Sequence, residues 1–307
     1  MLKSKDLLDI KSLEVSEIES ILEVAAGYKD VISRDIKKVP TLRGRTVVNL
    51  FFEPSTRTRT SFELAAKRLS CDVVNFSVPT SAVVKGETLL DTALTVEALG
   101  AETVIVRHKS AGVPHLLGRS LRASVINAGD GMNEHPTQAL LDAFTMKVKK
   151  GSFKGLQVAI VGDVIHSRVA KSNIYCLNKL GAKVRLIGPP TLVNETMEAK
   201  GAKVYFSMED GLRGVDVVMM LRIQMERMGG GFFPSTEEYF KIWGLTERRL
   251  ALADKKAIVM HPGPMNRGIE ISSGIADGPQ SVILEQVTNG LAVRMAVMHL
   301  LASGGKQ

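Results

Sequence analysis

Residues 51–60 read Phe-Phe-Glu-Pro-Ser-Thr-Arg-Thr-Arg-Thr, which gathers the hydroxyls of Ser55, Thr56 and Thr58 and the guanidinium groups of Arg57 and Arg59 in one turn-sized stretch. The run before it, Thr46–Phe52, is short and apolar, as a buried parallel strand is, and helical periodicity begins at Thr58. The stretch is therefore a strand-to-helix turn. Open parallel sheets bind ligands at the carboxyl ends of their strands. A helix N-terminus presents unpaired N–H groups and a partial positive charge, and guanidinium forks match phosphate oxygens. A lone Ser/Thr-x-Arg is an ordinary helix start. Five such residues together after a buried strand read as a phosphate cradle. Glu53, at the edge of the cradle, either holds a neighbouring arginine or faces solvent.

Other polar residues fall at strand ends. Arg107 closes the apolar run Thr103–Val106, and His135 stands between Asn133-Glu134 and Pro136. By itself His135 reads as a helix-start residue. Beside a phosphate cradle, a second cation and an imidazole donor would polarise a carbonyl. In the second half, Val158–Val161 runs into Gly162-Asp163 without the G-x-G-x-x-G spacing of a dinucleotide-binding turn, which argues against a nucleotide-binding module. Arg168 opens the next periodic stretch, and Arg222 ends the strand Val215–Leu221 with Gln224 two residues on. Two arginines and an amide suit a dicarboxylate, and on spacing alone they suit surface ion pairs equally. His261-Pro262-Gly263-Pro264 is a rigid turn whose prolines keep their carbonyl acceptors while lacking an N–H. It either receives an NH₂ group or simply ends a strand. Lys85, in the loop Ser81–Glu87, reads from its type as a surface lysine.

The elements that must position these residues alternate. Strand-like runs cover Thr46–Phe52, Asp72–Ser77, Thr103–Arg107, Ser124–Asn127, Gln157–Val161, Lys183–Ile187, Lys203–Phe206, Val215–Met220 and Ala257–His261. Helical periodicity covers Glu14–Gly27, Thr58–Leu69, Thr137–Lys149, Arg168–Leu180 and Gln286–Leu301. This alternation predicts α/β architecture: two doubly wound domains, each a parallel sheet flanked by helices, joined by interdomain helices. The 307 residues suit two domains. Lys149–Gly155 breaks the pattern between the halves, and Gly229–Pro234 reads as a mobile loop or a surface turn. No apolar run is long enough to span a bilayer and the N-terminus lacks a signal-peptide stretch, so a soluble cytoplasmic protein is expected. Cys71 and Cys176 sit in no metal-binding cluster and are expected as buried free thiols, with no metal and no cofactor. The formal net charge of +8 is spread over scattered lysines with only 5% aromatics, a pattern for small anions rather than nucleic acid or membrane.

Taken in order, these segments resemble the transcarbamoylases over essentially the whole chain. Phe51–Arg59 is similar to that family's carbamoyl phosphate motif, and His135-Pro136-Thr137-Gln138 to its second shared motif. Arg222-Ile-Gln224-Met-Glu226-Arg227 and His261-Pro262-Gly263-Pro264 point to the aspartate branch. The ornithine branch carries a His-Cys-Leu-Pro turn and an Asp-x-x-x-Ser-Met-Gly segment, and neither occurs here. Two departures stand out: glycine at 263, where some members have leucine, and His166-Ser167 before Arg168.

The resemblance implies transfer of a carbamoyl group from carbamoyl phosphate to the α-amine of L-aspartate, giving N-carbamoyl-L-aspartate and phosphate, an early committed step of pyrimidine biosynthesis. The alternative is a carbamoyltransferase for ornithine or another amino acid. It further implies that Ser55, Thr56, Arg57 and Thr58 bind the phosphate, and that Thr58, Arg107 and His135 surround the carbamoyl oxygen. Gln138 and the Pro262-Gly263-Pro264 turn would hold the carbamoyl amide. Arg168, Arg222 and Gln224 would bind aspartate. Ser81 and Lys85 would reach into a neighbouring subunit's site within a homotrimer, with Lys85 serving both substrates. Arg57, Thr58, Lys85, Arg107 and His135 would carry the catalysis. The implied domains are residues 1–134 with 287–307 for carbamoyl phosphate and 135–286 for aspartate. Relatives work as bare trimers or with regulatory or dihydroorotase subunits, and both arrangements stay open.

Overall fold

The computed structural model describes residues 2–77, 88–223 and 235–304. The chain divides into two compact units, Met1–Phe144 with Thr288–Gln307, and Thr145–Val287.

The first unit is built on four parallel strands, β1 (Thr46–Phe51), β2 (Asp72–Ser77), β3 (Thr103–His108) and β4 (Ser124–Asp130), in the order β2-β1-β3-β4. Its helices are α1 (Val15–Ser33), α2 (Thr56–Arg68), α3 (Leu89–Ala98) and α4 (Val113–Ser120). In α1 the residues Ile18, Ile21, Leu22, Ala25, Tyr28, Val31 and Ile32 are buried at helical spacing, and Glu14 with Glu17 closes a capping box. Val48, Leu50, Val104, Val106 and Val125 pack with Ala93, Val96 and Leu117 in one core cluster, so strands and helices share it. Parallel strands bury both faces, which is why they read as near-continuous apolar runs. The one polar residue inside β1, Asn49, is fully buried and donates to Asn75 Oδ1 at 2.9 Å.

The second unit carries β5 (Gln157–Val161), β6 (Lys183–Ile187), β7 (Ala202–Tyr205), β8 (Val217–Met220) and β9 (Ile258–Met260), all parallel, in the order β7-β6-β5-β8-β9. The helices α6 (Arg168–Lys179), α7 (Met208–Leu212), α8 (Thr236–Trp243), α9 (Glu247–Leu250) and α10 (Ser273–Ala276) belong to it. Val161, Ile187, Val218, Met220 and Val259 form its core with Leu212, Tyr239, Trp243 and Ile275. Helices α5 (Pro136–Lys150) and α11 (Ile283–Gly304) each contain a boundary between the units. From Ala139 to Met146 every residue of α5 is buried, whereas its last turn from Lys147 to Lys149 is exposed.

The strand orders fix where ligands can sit. In the first sheet the winding reverses between β1 and β3, and in the second between β5 and β8. A doubly wound sheet opens a crevice outside the carboxyl ends of its strands at that reversal. The β1–α2 turn and Arg107 flank the first reversal, and the β5–α6 turn and Arg222 flank the second.

Candidate active site

At the first reversal, Phe51 and Arg107 are ladder partners, and Phe52 N donates to Arg107 O at 2.9 Å. The chain then turns through Glu53, Pro54 and Ser55 into α2. This brings Arg107 Nε to 2.6 Å from Glu53 Oε1, with the two side chains 13% and 15% exposed. The paired guanidinium is thereby aimed, and its Nη1 donates to Thr58 Oγ1 at 3.3 Å and to the Ala128 carbonyl at 3.4 Å. Glu53 thus holds an arginine of the neighbouring strand. Ser55 is the N-cap of α2, yet its hydroxyl makes no capping bond, in contrast to Ser167, Ser207 and Ser235 at the starts of α6, α7 and α8. Thr56 and Arg57 are exposed on the first turn, and Ser55, Thr58 and Arg59 are half-buried.

His135 follows the next strand along the sheet. A polar network shapes the turn that carries it. Asp130 Oδ1 accepts from Asn127 Nδ2 at 2.9 Å and from Glu134 N at 3.1 Å, and Glu134 Oε2 accepts from Ile10 N at 2.9 Å. Gly131 has φ +52°, and a Cβ there would lie 2.9 Å from the Lys109 carbonyl, so the turn requires glycine. His135 is 4% exposed, and its carbonyl receives the N–H groups of Gln138 and Ala139 at 3.0 and 3.3 Å, starting α5. Gln138 is buried, and its Nε2 donates to Asp142 Oδ1 one turn on at 2.9 Å.

At the second reversal, Leu221 N donates to Val161 O at 2.8 Å. Gly162 (φ +119°) lets β5 end close to β8, since a Cβ would meet Leu221 O and the Tyr239 hydroxyl at 3.3 Å. Asp163 is fully buried and accepts from His166 Nδ1 at 2.9 Å and His166 N at 3.2 Å, tightening the turn before Ser167 caps α6. Arg168, the first residue of α6, is 5% exposed, and Arg222 is half-buried two residues after β8. Burial, with Glu270 and Asp163 adding to it, drives the Tyr239 hydroxyl far above its ordinary pKa, so it stays protonated.

The turn after β9 is locked from within. His261 Nδ1 accepts from Gly263 N at 2.8 Å, so the ring proton lies on Nε2, which donates to Glu270 Oε1 at 3.1 Å. Asn266 N also donates to Glu270 Oε1, and Asn266 Nδ2 reaches the Ile223 carbonyl at 3.4 Å, tying this turn to the segment after Arg222. Pro262 and Gly263 are half-buried, Pro264 is exposed, and Gly263 has φ +67°. Ser81, Lys85, Gln224 and the stretch Gly229–Pro234 lie outside the described residues. Among the described residues no group of three or more His, Cys, Asp or Glu side chains is placed to hold a metal ion. No helix there is long and apolar enough to cross a membrane.

The structure brings Thr58 and Arg107 into contact and sets Arg168 and Arg222 on either side of the second reversal. Asp142, Glu270 and Arg294 do not stand out in the sequence, because they act through their partners Gln138, His261 and Ser61 and not from a strand end. For Asp142 a signal existed, because it lies four residues after Gln138 on a helix.

Two doubly wound units, each with cationic side chains gathered at its reversal point, define an α/β protein that handles small anions. The carbamoyl-P binding domain of the aspartate/ornithine carbamoyltransferases matches residues 5–148, and the Asp/Orn binding domain of the same proteins matches residues 154–301. The chain belongs to the aspartate/ornithine carbamoyltransferase family. It is 59% identical over 303 residues, 99% of each chain, to a protein of Moorella thermoacetica named aspartate carbamoyltransferase catalytic subunit. Among solved structures it is similar to Trypanosoma cruzi aspartate transcarbamoylase in complex with carbamoyl phosphate and aspartate (TM-score 0.86, 28% identity, 97% of each chain). It is also similar to ornithine carbamoyltransferase from Pyrococcus furiosus (TM-score 0.88, 27% identity, 99% of each chain). Fold similarity is nearly the same toward both branches, so the choice of amine substrate rests on sequence identity and on the second unit's side chains.

Proposed function

We propose that this enzyme transfers the carbamoyl group of carbamoyl phosphate to the α-amine of L-aspartate, releasing phosphate and N-carbamoyl-L-aspartate, the committed early step of pyrimidine biosynthesis. The observation that carries the reading is the Glu53–Arg107–Thr58 arrangement at the first reversal. It aims two donors at one point beside a helix N-terminus, where a carbonyl oxygen next to a phosphate would lie. Ser55, Thr56, Arg57 and Thr58 take the phosphate, and Arg107, Thr58 and His135 take the carbamoyl oxygen. Gln138 and the carbonyls of Pro262 and Gly263 take the amide, in the turn that Pro264 completes. Arg168, Arg222 and Gln224 take the carboxylates of aspartate, and these cations are the reason for preferring aspartate to ornithine, whose side chain is itself a cation.

The nucleophile is the substrate's own amine, so no activated serine or cysteine is needed. As it attacks, charge grows on the carbamoyl oxygen. A preorganised donor at such an oxygen contributes about 2.7–4 kcal/mol to the transition state. Departing phosphate is stabilised by the cradle, and much of the remaining acceleration comes from holding both reactants together.

The working form in this reading is a cytoplasmic homotrimer in which Ser81 and Lys85 complete a neighbour's site. Support comes from β2, the strand leading toward that segment. It is an edge strand with Val74 48% exposed, an arrangement that natural sheets cover or blunt. Phosphate release from carbamoyl phosphate, measured with aspartate and with ornithine in separate reactions, tests the function. Aspartate-dependent release is expected. Release with ornithine and none with aspartate would overturn the assignment.

A further inference from the structure

Gln138 is an amide whose two ends are chemically opposite, and its orientation decides whether it offers a donor or an acceptor. Its neighbour settles the question. Asp142 is fully buried and lies 2.9 Å from the Gln138 amide nitrogen. A carboxylate only accepts, so the NH₂ must face it and Oε1 must face away.

A buried cation lies within electrostatic reach of that carboxylate. Arg294, from α11, is buried, donates from Nη1 to Ser61 Oγ at 2.8 Å, and lies with its guanidinium carbon 4.9 Å from the Phe62 ring centroid. Ser61 and Phe62 lie on α2, the helix whose first turn carries Ser55–Thr58. Burial lowers the Arg294 guanidinium to about 10, and the negative charge of Asp142 acts against that shift, so the side chain is a cation at neutral pH. Room for it is built into the helix: a Cβ at Gly290 would fall 2.8 Å from Arg294 Nη1 and 3.0 Å from Leu141 Cδ2.

We infer that Asp142 is a positioning residue that fixes Gln138 as a hydrogen-bond acceptor, so that the site selects an NH₂ group over an isosteric methyl. This rests on the proposed carbamoyl transfer. A site built to bond an N–H rejects the analogue that lacks it, because the buried polar atom is then left unpaired. Acetyl phosphate is that analogue, with CH₃ in place of NH₂. In Asp142→Asn the new side-chain amide can donate to Gln138 as readily as accept, so Gln138 can turn its NH₂ toward the ligand. In Gln138→Glu two carboxyl groups meet and share one proton between them. The outer oxygen remains an acceptor and the pair keeps its charge.

The experiment compares KM for carbamoyl phosphate with the competitive inhibition constant of acetyl phosphate in the wild-type protein and both variants. In Asp142→Asn, the preference for carbamoyl over acetyl phosphate falls about tenfold, through a raised KM with little change in acetyl phosphate binding. Gln138→Glu retains the preference to within about threefold. Equal weakening toward both ligands in folded Asp142→Asn overturns the inference, since loss of packing would move both constants together. If Asp142→Asn does not fold, Gln138→Glu decides alone: preference kept supports the acceptor orientation, and preference lost overturns it. A wild-type protein that releases no phosphate with aspartate or any other amine would instead defeat the reading on which the inference stands.

Discussion

Replacing Glu53 by glutamine separates aiming an arginine from supplying its charge. The Glu53–Arg107 contact is 2.6 Å, short and charge-assisted, between side chains only 13% and 15% exposed. Hydrogen bonds to charged groups contribute about 1.5–3 kcal/mol net, and glutamine keeps an acceptor oxygen of similar reach, so the loss is the charge-dependent part, about 1–2 kcal/mol. Arg107 also contacts Thr58 and the Ala128 carbonyl at 3.3 and 3.4 Å, distances too long to hold it alone. Held less firmly at Nε, the guanidinium spends more time in orientations that miss the carbamoyl oxygen. Turnover is expected to fall roughly five- to thirtyfold, at about 1.4 kcal/mol per decade. Binding moves the other way, because removing a carboxylate leaves Arg107 uncompensated and favours an anionic substrate. The KM for carbamoyl phosphate should therefore stay level or drop. Steady-state kinetics with saturating aspartate read both constants, and a thermal melt confirms folding. A folded Glu53→Gln enzyme with unchanged kcat would refute the positioning argument, and a kcat held constant with a raised KM would show that Glu53 acts on binding instead.

Arg57→Ala should lower turnover by orders of magnitude while leaving assembly intact, checked by kinetics and by size in solution. Mixing Arg57→Ala with Lys85→Ala subunits should recover part of the activity if sites are shared, and no recovery after verified subunit exchange counts against sharing. Gly131→Ala should cost about 1–3 kcal/mol in denaturant unfolding, because the turn needs φ +52° and the new methyl would press on the Lys109 carbonyl. Burial, with Asp72 and Glu102 adding to it, raises the Cys71 thiol to about 11, and Cys176 is fully buried. A thiol reagent at pH 8 should therefore label neither cysteine in the folded protein and both after unfolding.

The strands were legible because buried parallel strands leave unbroken apolar runs, and Asp72–Ser77, Gln157–Val161 and Lys183–Ile187 fall where the sequence places them. β4 runs on to Asp130, past the Asn127 at which its apolar run stops, because Asp130 pairs with His108 across an irregularity in the ladder. The short helices α4, α7 and α9 escape periodicity because two turns hardly define a period. The candidate site was legible where residue type departs from its surroundings, as in the hydroxyls and arginines of Ser55–Arg59 or the arginines at strand ends. It was not legible where a side chain matters through its partner. Glu53 meets Arg107 across 54 positions and Arg294 meets Ser61 across 233, and only the fold brings such residues together.

Those pairings also decide what each cation can do. Arg107 lies against Glu53, so the pair is close to neutral at a distance and exerts little long-range pull on a phosphate. What remains to Arg107 is direction, because its N–H groups act at contact range on an oxygen whose charge grows during reaction. Attraction for the phosphate must then come from the start of α2, from Arg57 on its exposed first turn and, in the proposed trimer, from Lys85 of a neighbour. The division has a measurable form. Ionic strength screens exposed charges far more than buried ones, so salt should raise the KM for carbamoyl phosphate and leave kcat nearly unchanged. Arg57→Ala should flatten the salt dependence of KM, whereas Glu53→Gln should leave it near the wild-type slope, because the cation it uncovers is buried and poorly screened. Equal salt slopes in the two variants would mean that the ion pair does not separate binding from catalysis.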